Sequence, residues 1–361
     1  MKNNRAFDLS FIVICALTVC FLGIGVYALP RKSFSEEENR ALAMPPKISL
    51  RAVASGDFFG QLSSFYSDRI PLRTLMIRTK ARCELLLGKS ENNEIVFSSD
   101  GRLMKREVYS DLSVLEQNVH AANQIKEEHS AFLALVPRSV DVYAGGEESE
   151  RVCEVAGTLS LLDSLRAVGE GAYYKTDHHL DADGAFEVYR YVMQGLGYTP
   201  LSKEAFELTE VCDGFLGSTY SQGGLLTSVS DTVSAWRYDG DTTLAVECLD
   251  SSCALHSLYV PEELVNKDKY RYFLGGNHGV LSISSIDAGE RERLFIIKDS
   301  FANAVIPLLA RHFDLTVWDP RYCPTPPEFD PTATRTVVIC GIDTLTTTKG
   351  FIKPQFFNTK P

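Results

Sequence analysis

Two short segments carry residue types that act together in acyl chemistry. The first is Thr176-Asp177-His178-His179. A carboxylate beside an imidazole fixes the ring's tautomer and stabilises the cation formed when the ring accepts a proton, as a general base requires. The second is Ile296-Ile297-Lys298-Asp299-Ser300-Phe301-Ala302-Asn303, where an apolar run leads into a serine. A hydroxyl at such a point is a nucleophile once a base takes its proton. Its own N–H, at a helix start, is placed to stabilise an oxyanion. Each segment also has a plainer reading, a pair of surface histidines in a helix-entry turn and an N-cap serine. Serine, histidine and aspartate together make up an activated nucleophile, and the fold must close the gap between 177 and 300. An Asp-His-His metal phosphoesterase needs further carboxylates and histidines around two metals. The Asp-x-Asp pairs at 181/183 and 239/241 read as a helix cap and a turn, so neither a metal nor another cofactor is expected.

The elements around these segments read as α/β. After Asp-His-His, apolar positions at Phe186, Tyr189, Val192 and Met193 predict a helix, capped by Asp181 or Asp183 and ended by Gly195 and Gly197. Residues 131–136, 294–297, 315–318 and 336–339 are continuous apolar runs, the signature of buried parallel strands. Helices are predicted at 114–128 and 159–168, and from Val305 to His312 with a bend at Pro307. Between Val53 and Leu87 the apolar spacing is helical, broken at Asp68-Arg69-Ile70-Pro71. Ile95-Val96-Phe97 reads as a strand entering the turn Ser99-Asp100-Gly101. Residues 208–260 alternate and carry Tyr238-Asp239-Gly240-Asp241, which predicts a β-rich insertion.

The bulk numbers narrow the class. The chain has 361 residues, 45% apolar and 23% charged, enough for one large domain or two modest ones. A formal charge of −11 argues against a nucleic-acid binder, which must neutralise phosphates. Residues 1–8 precede an apolar run at 9–29, long enough to span a bilayer at roughly 20 residues. The exit, Val26-Tyr27-Ala28-Leu29-Pro30, is a poor cleavage site, which favours an uncleaved signal anchor. Lys2 and Arg5 on one side are matched by Arg31 and Lys32 on the other, so charge leaves orientation nearly balanced. The short N-terminus favours placing the bulk of the chain outside the cytoplasm. Residues 30–50 read as a polar stalk and 51–361 as the extracytoplasmic domain. Nine cysteines form no framework. Cys248 and Cys253 are close enough to close a small loop, and scattered buried thiols are the alternative.

Several blocks resemble the DHHW family, which is related to the SGNH-hydrolase-like domains of alginate O-acetyltransferase proteins. Tyr173-Tyr174-Lys175-Thr176-Asp177-His178-His179-Leu180 is similar to the motif that names the family, with Leu180 in place of tryptophan. Lys267-Asp268-Lys269-Tyr270 through Phe273-Leu274-Gly275-Gly276-Asn277-His278 resembles the block before the serine. Lys298 to Asn303 resembles the serine motif, and Asp319-Pro320-Arg321-Tyr322 the segment after it. Phe34-Ser35 through Glu38-Asn39-Arg40 is also similar. The blocks follow the family's order over most of the chain beyond the anchor.

The resemblance implies a three-layer SGNH-hydrolase-like domain with a mostly parallel central sheet. It implies Ser300 as nucleophile, His179 as base and Asp177 as the group that orients it, with His178 the lesser candidate for base. Gly276 and Asn277 are candidate oxyanion donors, and Arg321 and Tyr322 candidate pocket residues. The expected activity is extracytoplasmic acyl transfer, O-acetylation of a cell-surface or secreted polysaccharide. A multi-pass membrane acyltransferase supplying the acetyl group is the implied partner. A carbohydrate esterase uses the same triad, and a catalytically inactive polysaccharide-binding or scaffold domain is the non-enzymatic alternative. Leu180 supports that last reading by removing a large aromatic beside the base.

Overall fold

The computed structural model describes residues 2–28, 32–38, 40–106, 112–129, 131–250, 255–286, 289–328 and 334–352. Contacts divide the chain into two compact units, one of residues 1–93 with 221–226 and one of 94–220 with 227–361.

The first unit is helical. Helix Lys2–Ala28 contains the apolar stretch Phe7–Val26, whose 20 residues match the thickness of a bilayer core. Helices Asp57–Arg69 and Arg73–Leu86 follow, separated at Ile70-Pro71-Leu72, because proline cannot donate within a continuing helix. A two-stranded ribbon, Phe34–Ser35 with Arg40–Ala41, occupies the segment that reads as a stalk. It is tied down by charge: Arg40 bonds Asp68 at 3.0 Å, and Arg73 bonds Glu38 at 2.8 Å. Arg31 and Asn39 lie outside the described residues.

The second unit holds a six-stranded sheet. Its strands in chain order are β1 (Phe132–Val136), β2 (Leu244–Cys248), β3 (Val280–Ser285), β4 (Arg293–Lys298), β5 (Asp314–Trp318) and β6 (Thr334–Gly341). Spatially they run β1-β6-β4-β5-β3-β2. The first four of that order are parallel, and β3 and β2 add antiparallel at the far edge. Side-chain alternation builds the layers. Leu294 and Ile296 face the core that includes Phe186 and Tyr189 of helix Ala182–Gly195, while Phe295 and Ile297 face the core under helix Ser113–His129. Both faces being covered is why these strands are continuously apolar. The fold is thus a three-layer α/β arrangement with a mostly parallel sheet.

Three elements differ from the sequence reading. Helix Leu162–Val168 starts late, because Ser160 Oγ accepts from the Leu162 N–H. The stretch after Ser300 is a 3-10 turn, Ser300–Ala304, then a short helix, Ile306–Ala310; Pro307 is accommodated only in a first turn, so the helix restarts there. Within 208–260, strands Glu207–Phe215 and Asp231–Arg237 pair as a separate antiparallel ribbon, whereas β2 joins the main sheet.

Candidate active site

Ser300 sits where β4, a central strand, ends. The N-cap of the following turn is Asp299: its Oδ1 accepts from the Phe301 N–H at 2.9 Å. Its Oδ2 accepts from the Gly341 N–H at 2.8 Å and the Thr344 hydroxyl at 2.6 Å. Asp299 therefore performs the capping that a plainer reading assigned to Ser300, and the serine hydroxyl is not consumed by it. Among the described residues the Ser300 N–H has no partner either.

The Asp-His-His loop is closed by the Tyr173–Leu180 bridge, and Asp181 caps the helix that follows by accepting from the Ala182 N–H at 2.7 Å. The ribbon braces this loop. Asp231 accepts from the N–H groups of Lys175 and Thr176 at 2.7 and 2.8 Å, and the Gly217 N–H donates to Thr176 Oγ1 at 3.1 Å. A Cβ on Gly217 would lie 2.3 Å from Asp177, so only glycine lets that backbone come so close.

Asp177 is buried. Its Oδ1 accepts from His179 Nδ1 at 2.6 Å and from the His179 N–H at 2.9 Å, and its Oδ2 from the Ser218 N–H at 2.6 Å. Burial disfavours its charge, yet His178, His179 and these bonds outweigh burial and hold the carboxyl well below the usual carboxylate range. An ionised carboxylate only accepts, so the proton lies on His179 Nδ1 and Nε2 presents a lone pair. That Nε2 is buried with no hydrogen-bond partner. An unmade bond of this kind costs about 1–3 kcal/mol and is retained mainly where function needs it.

The His179 ring stacks on Tyr270 at 3.9 Å and 9°, and lies 5.4 Å from the Phe301 ring. The Tyr270 hydroxyl donates to the Ser300 carbonyl at 3.1 Å. One tyrosine therefore touches both the imidazole and the serine turn, and the structure brings Asp177, His179 and the Ser300 turn together. His178 lies alongside, its ring 3.9 Å from that of His179 and 5.6 Å from Phe301, but its Nδ1 pairs with Ser218 Oγ at 2.6 Å, and burial pulls its pKa down.

Beneath the serine lies a buried polar cluster. Lys298 Nζ donates to Asn303 Oδ1 at 2.8 Å and Asn277 Oδ1 at 3.1 Å, with Asp319 at 3.6 Å. Burial pulls its pKa down to about 8. Asn303 Nδ2 also donates to Asn277 Oδ1, at 3.2 Å. With that oxygen accepting twice, the Asn277 amide has a fixed orientation, and among the described residues its Nδ2 has no partner. The Gly276 N–H is engaged with the Phe273 carbonyl at 3.1 Å, which leaves Asn277 as the donor candidate of the two. Arg321 is clamped by Asp319 through bonds of 2.9 and 2.7 Å, and Tyr322 is exposed beside it. Leu180 is fully buried in the core, so its departure from tryptophan changes packing, not a surface platform.

The roles of Tyr270, Lys298, Asn303 and Asp319 were missed by residue-level reasoning. All but Asn303 and Lys298 lie outside the serine segment, and a charged Lys298 ending an apolar strand was the one visible signal.

Residues 151–318 match the "DHHW protein" family. The DHHW region includes the Asp-His-His loop, Asn277, Ser300 and Trp318. A DHHW family protein from Eubacterium siraeum is 19% identical, with a TM-score of 0.55 over 71% of this chain and 93% of that one. PatB1 of Bacillus cereus, solved with a sulfonyl adduct, is 18% identical, with a TM-score of 0.58 over 72% and 98%. At these identities the likeness is one of fold. No curated protein matches this sequence.

Proposed function

We propose that this DHHW domain is an acyl-transferring enzyme in which Ser300 is the nucleophile, His179 the base and Asp177 the group that orients and charges the base. The observation that carries the reading is the buried, unpartnered His179 Nε2 beside the Ser300 turn, with its opposite nitrogen on an ionised carboxylate. A sulfonyl group is captured by an activated nucleophile, so the PatB1 adduct is consistent with a reactive group in that fold.

In this reading Ser300 Oγ attacks the acyl carbonyl as its proton passes to Nε2. The Ser300 N–H and Asn277 Nδ2 receive the oxyanion. Collapse expels the leaving group, which takes the proton from His179, and an acyl-serine remains. An acceptor hydroxyl, activated by the same nitrogen, then attacks the ester and regenerates the serine. The proposed acceptor is a cell-surface or secreted polysaccharide, and water in its place makes the site an esterase. Asn277's unused amide favours turnover over a purely scaffolding role. The anchor would hold the domain beside a multi-pass membrane acyltransferase that supplies acetyl groups.

The test uses the full chain in detergent with a chromogenic acetyl ester. Wild type is expected to turn over and to be labelled on Ser300 by a sulfonyl fluoride, with both activities lost in Ser300→Ala and His179→Ala. An inert wild type with Ser300 unlabelled would turn the reading to a polysaccharide-binding domain.

A further inference from the structure

The unit that carries the apolar stretch also presents a helix face that is exposed among the described residues. Leu72, Leu75, Met76, Cys83, Leu86 and Leu87 are all exposed, the last two to 87% each. Along helix Arg73–Leu86 these positions fall within an arc of about 120°, an apolar stripe on one side of a helix. Exposed Thr79 interrupts the stripe, and an exposed apolar surface of this kind marks an interaction site.

Three observations say what covers it. The stripe begins one residue after Pro71, and Pro71 packs on Gly25 near the outer end of the apolar span; a Cβ on Gly25 would lie 2.2 Å from the proline ring. The start of the stripe is therefore held at the level where the span ends. Arg73, Arg78, Lys80, Arg82 and Lys89 lie along the same segment, where Arg73 pairs with Glu38 and Lys80 and Lys89 with Glu84, so basic groups outnumber the acids they meet in a chain whose net charge is −11. Basic flanks on an apolar helix face complement anionic headgroups. Finally, a coiled-coil seam through Leu72, Leu75 and Leu86 would be completed by Thr79, Arg82 and Lys89, which a second helix would not bury.

We propose that helix Arg73–Leu86 lies on the bilayer that the span enters, with this stripe in the boundary between headgroups and acyl chains. The domain would then be held by two elements, a span and a surface helix. This does not depend on the chemistry at Ser300.

The test places the full chain in nanodiscs containing phosphatidylglycerol with diazirine-bearing acyl chains, and maps lipid adducts after irradiation. Adducts are expected in residues 7–26 and in 72–87. In Leu72→Glu/Leu75→Glu/Met76→Glu, those in 72–87 should fall roughly tenfold while those in the span persist. Leu86→Gln/Leu87→Gln, at already exposed positions, gives a milder version of the same loss. Wild-type adducts confined to the span would overturn the proposal, as would Cys83 cross-links between copies without lipid adducts. Adducts in neither segment would overturn the reading of 7–26 as a span as well.

Discussion

At the scale of single residues, the site depends on groups that act through others. Asp299 takes the cap and leaves Ser300 its hydroxyl, Tyr270 supports both the ring of His179 and the Ser300 carbonyl, and Lys298 orients Asn277. The last relation makes a specific prediction. Asn277→Ala should lower kcat by about 10²–10³-fold with little change in KM, the usual effect of losing one oxyanion donor. Lys298→Met should also lower kcat, because the Asn277 amide loses one of the two donors that fix it. In the Asn277→Ala background, however, Lys298→Met should cost little more, since the two act as one unit. Additive losses in that double-mutant cycle, read as kcat on the chromogenic ester, would separate Lys298 from Asn277. The residue types of the proposed triad were legible in the sequence, because aspartate, histidine and serine each stood at an element edge. Lys298's partners were not, because they come from loops at 277 and 319 that meet only in the folded chain.

At the scale of elements, the proposed base is positioned by a loop between Tyr173 and Leu180 and by the helix that begins at Ala182. Asp181 caps that helix from a half-buried position, and this partial burial raises its pKa to about 7. In the unfolded chain an aspartate ionises near pH ~4. Between these values the folded state holds a proton that the unfolded state has released. The stabilisation is therefore complete below about pH 4 and is lost as the pH rises through about 7. Asn caps as well as Asp but carries no charge. Asp181→Asn should accordingly raise Tm by a few degrees at pH 8, with the gap closing by about pH 4; calorimetry at the two values measures it, and an equal shift at both would refute the assignment. The parallel strands were readable because strands covered on both faces must be apolar throughout. The ribbon's role was not: alternation announced strands, but that Asp231 reaches across to brace the Thr176 backbone depends on where the ribbon folds.

At the scale of the whole molecule, the apolar span and the α/β character were visible in composition, whereas the partition into units was hidden. Residues 221–226 return to the first unit, where the Gly223 carbonyl accepts from Asn92 at 3.2 Å, a contact across 131 positions that no local pattern encodes. Which side of the membrane the DHHW domain faces follows from neither charge nor length, since basic residues flank both ends of the span. A separate observation bears on it: Cys248 is disulfide-bonded, and its sequence neighbour Cys253 lies outside the described residues. Disulfides persist in oxidising compartments and are rare in the cytosol. A polysaccharide acceptor at the cell surface requires the same placement. The expected outcome is that protease added to intact spheroplasts degrades the domain and spares a tag placed ahead of Lys2. At the same time, alkaline extraction of the membranes should leave undigested full-length chain in the pellet, as a spanning helix demands. A domain that survives until the membrane is permeabilised would place Ser300 in the cytoplasm. It would also remove the polysaccharide from the proposal while leaving the acyl-transfer chemistry to be tested with another acceptor.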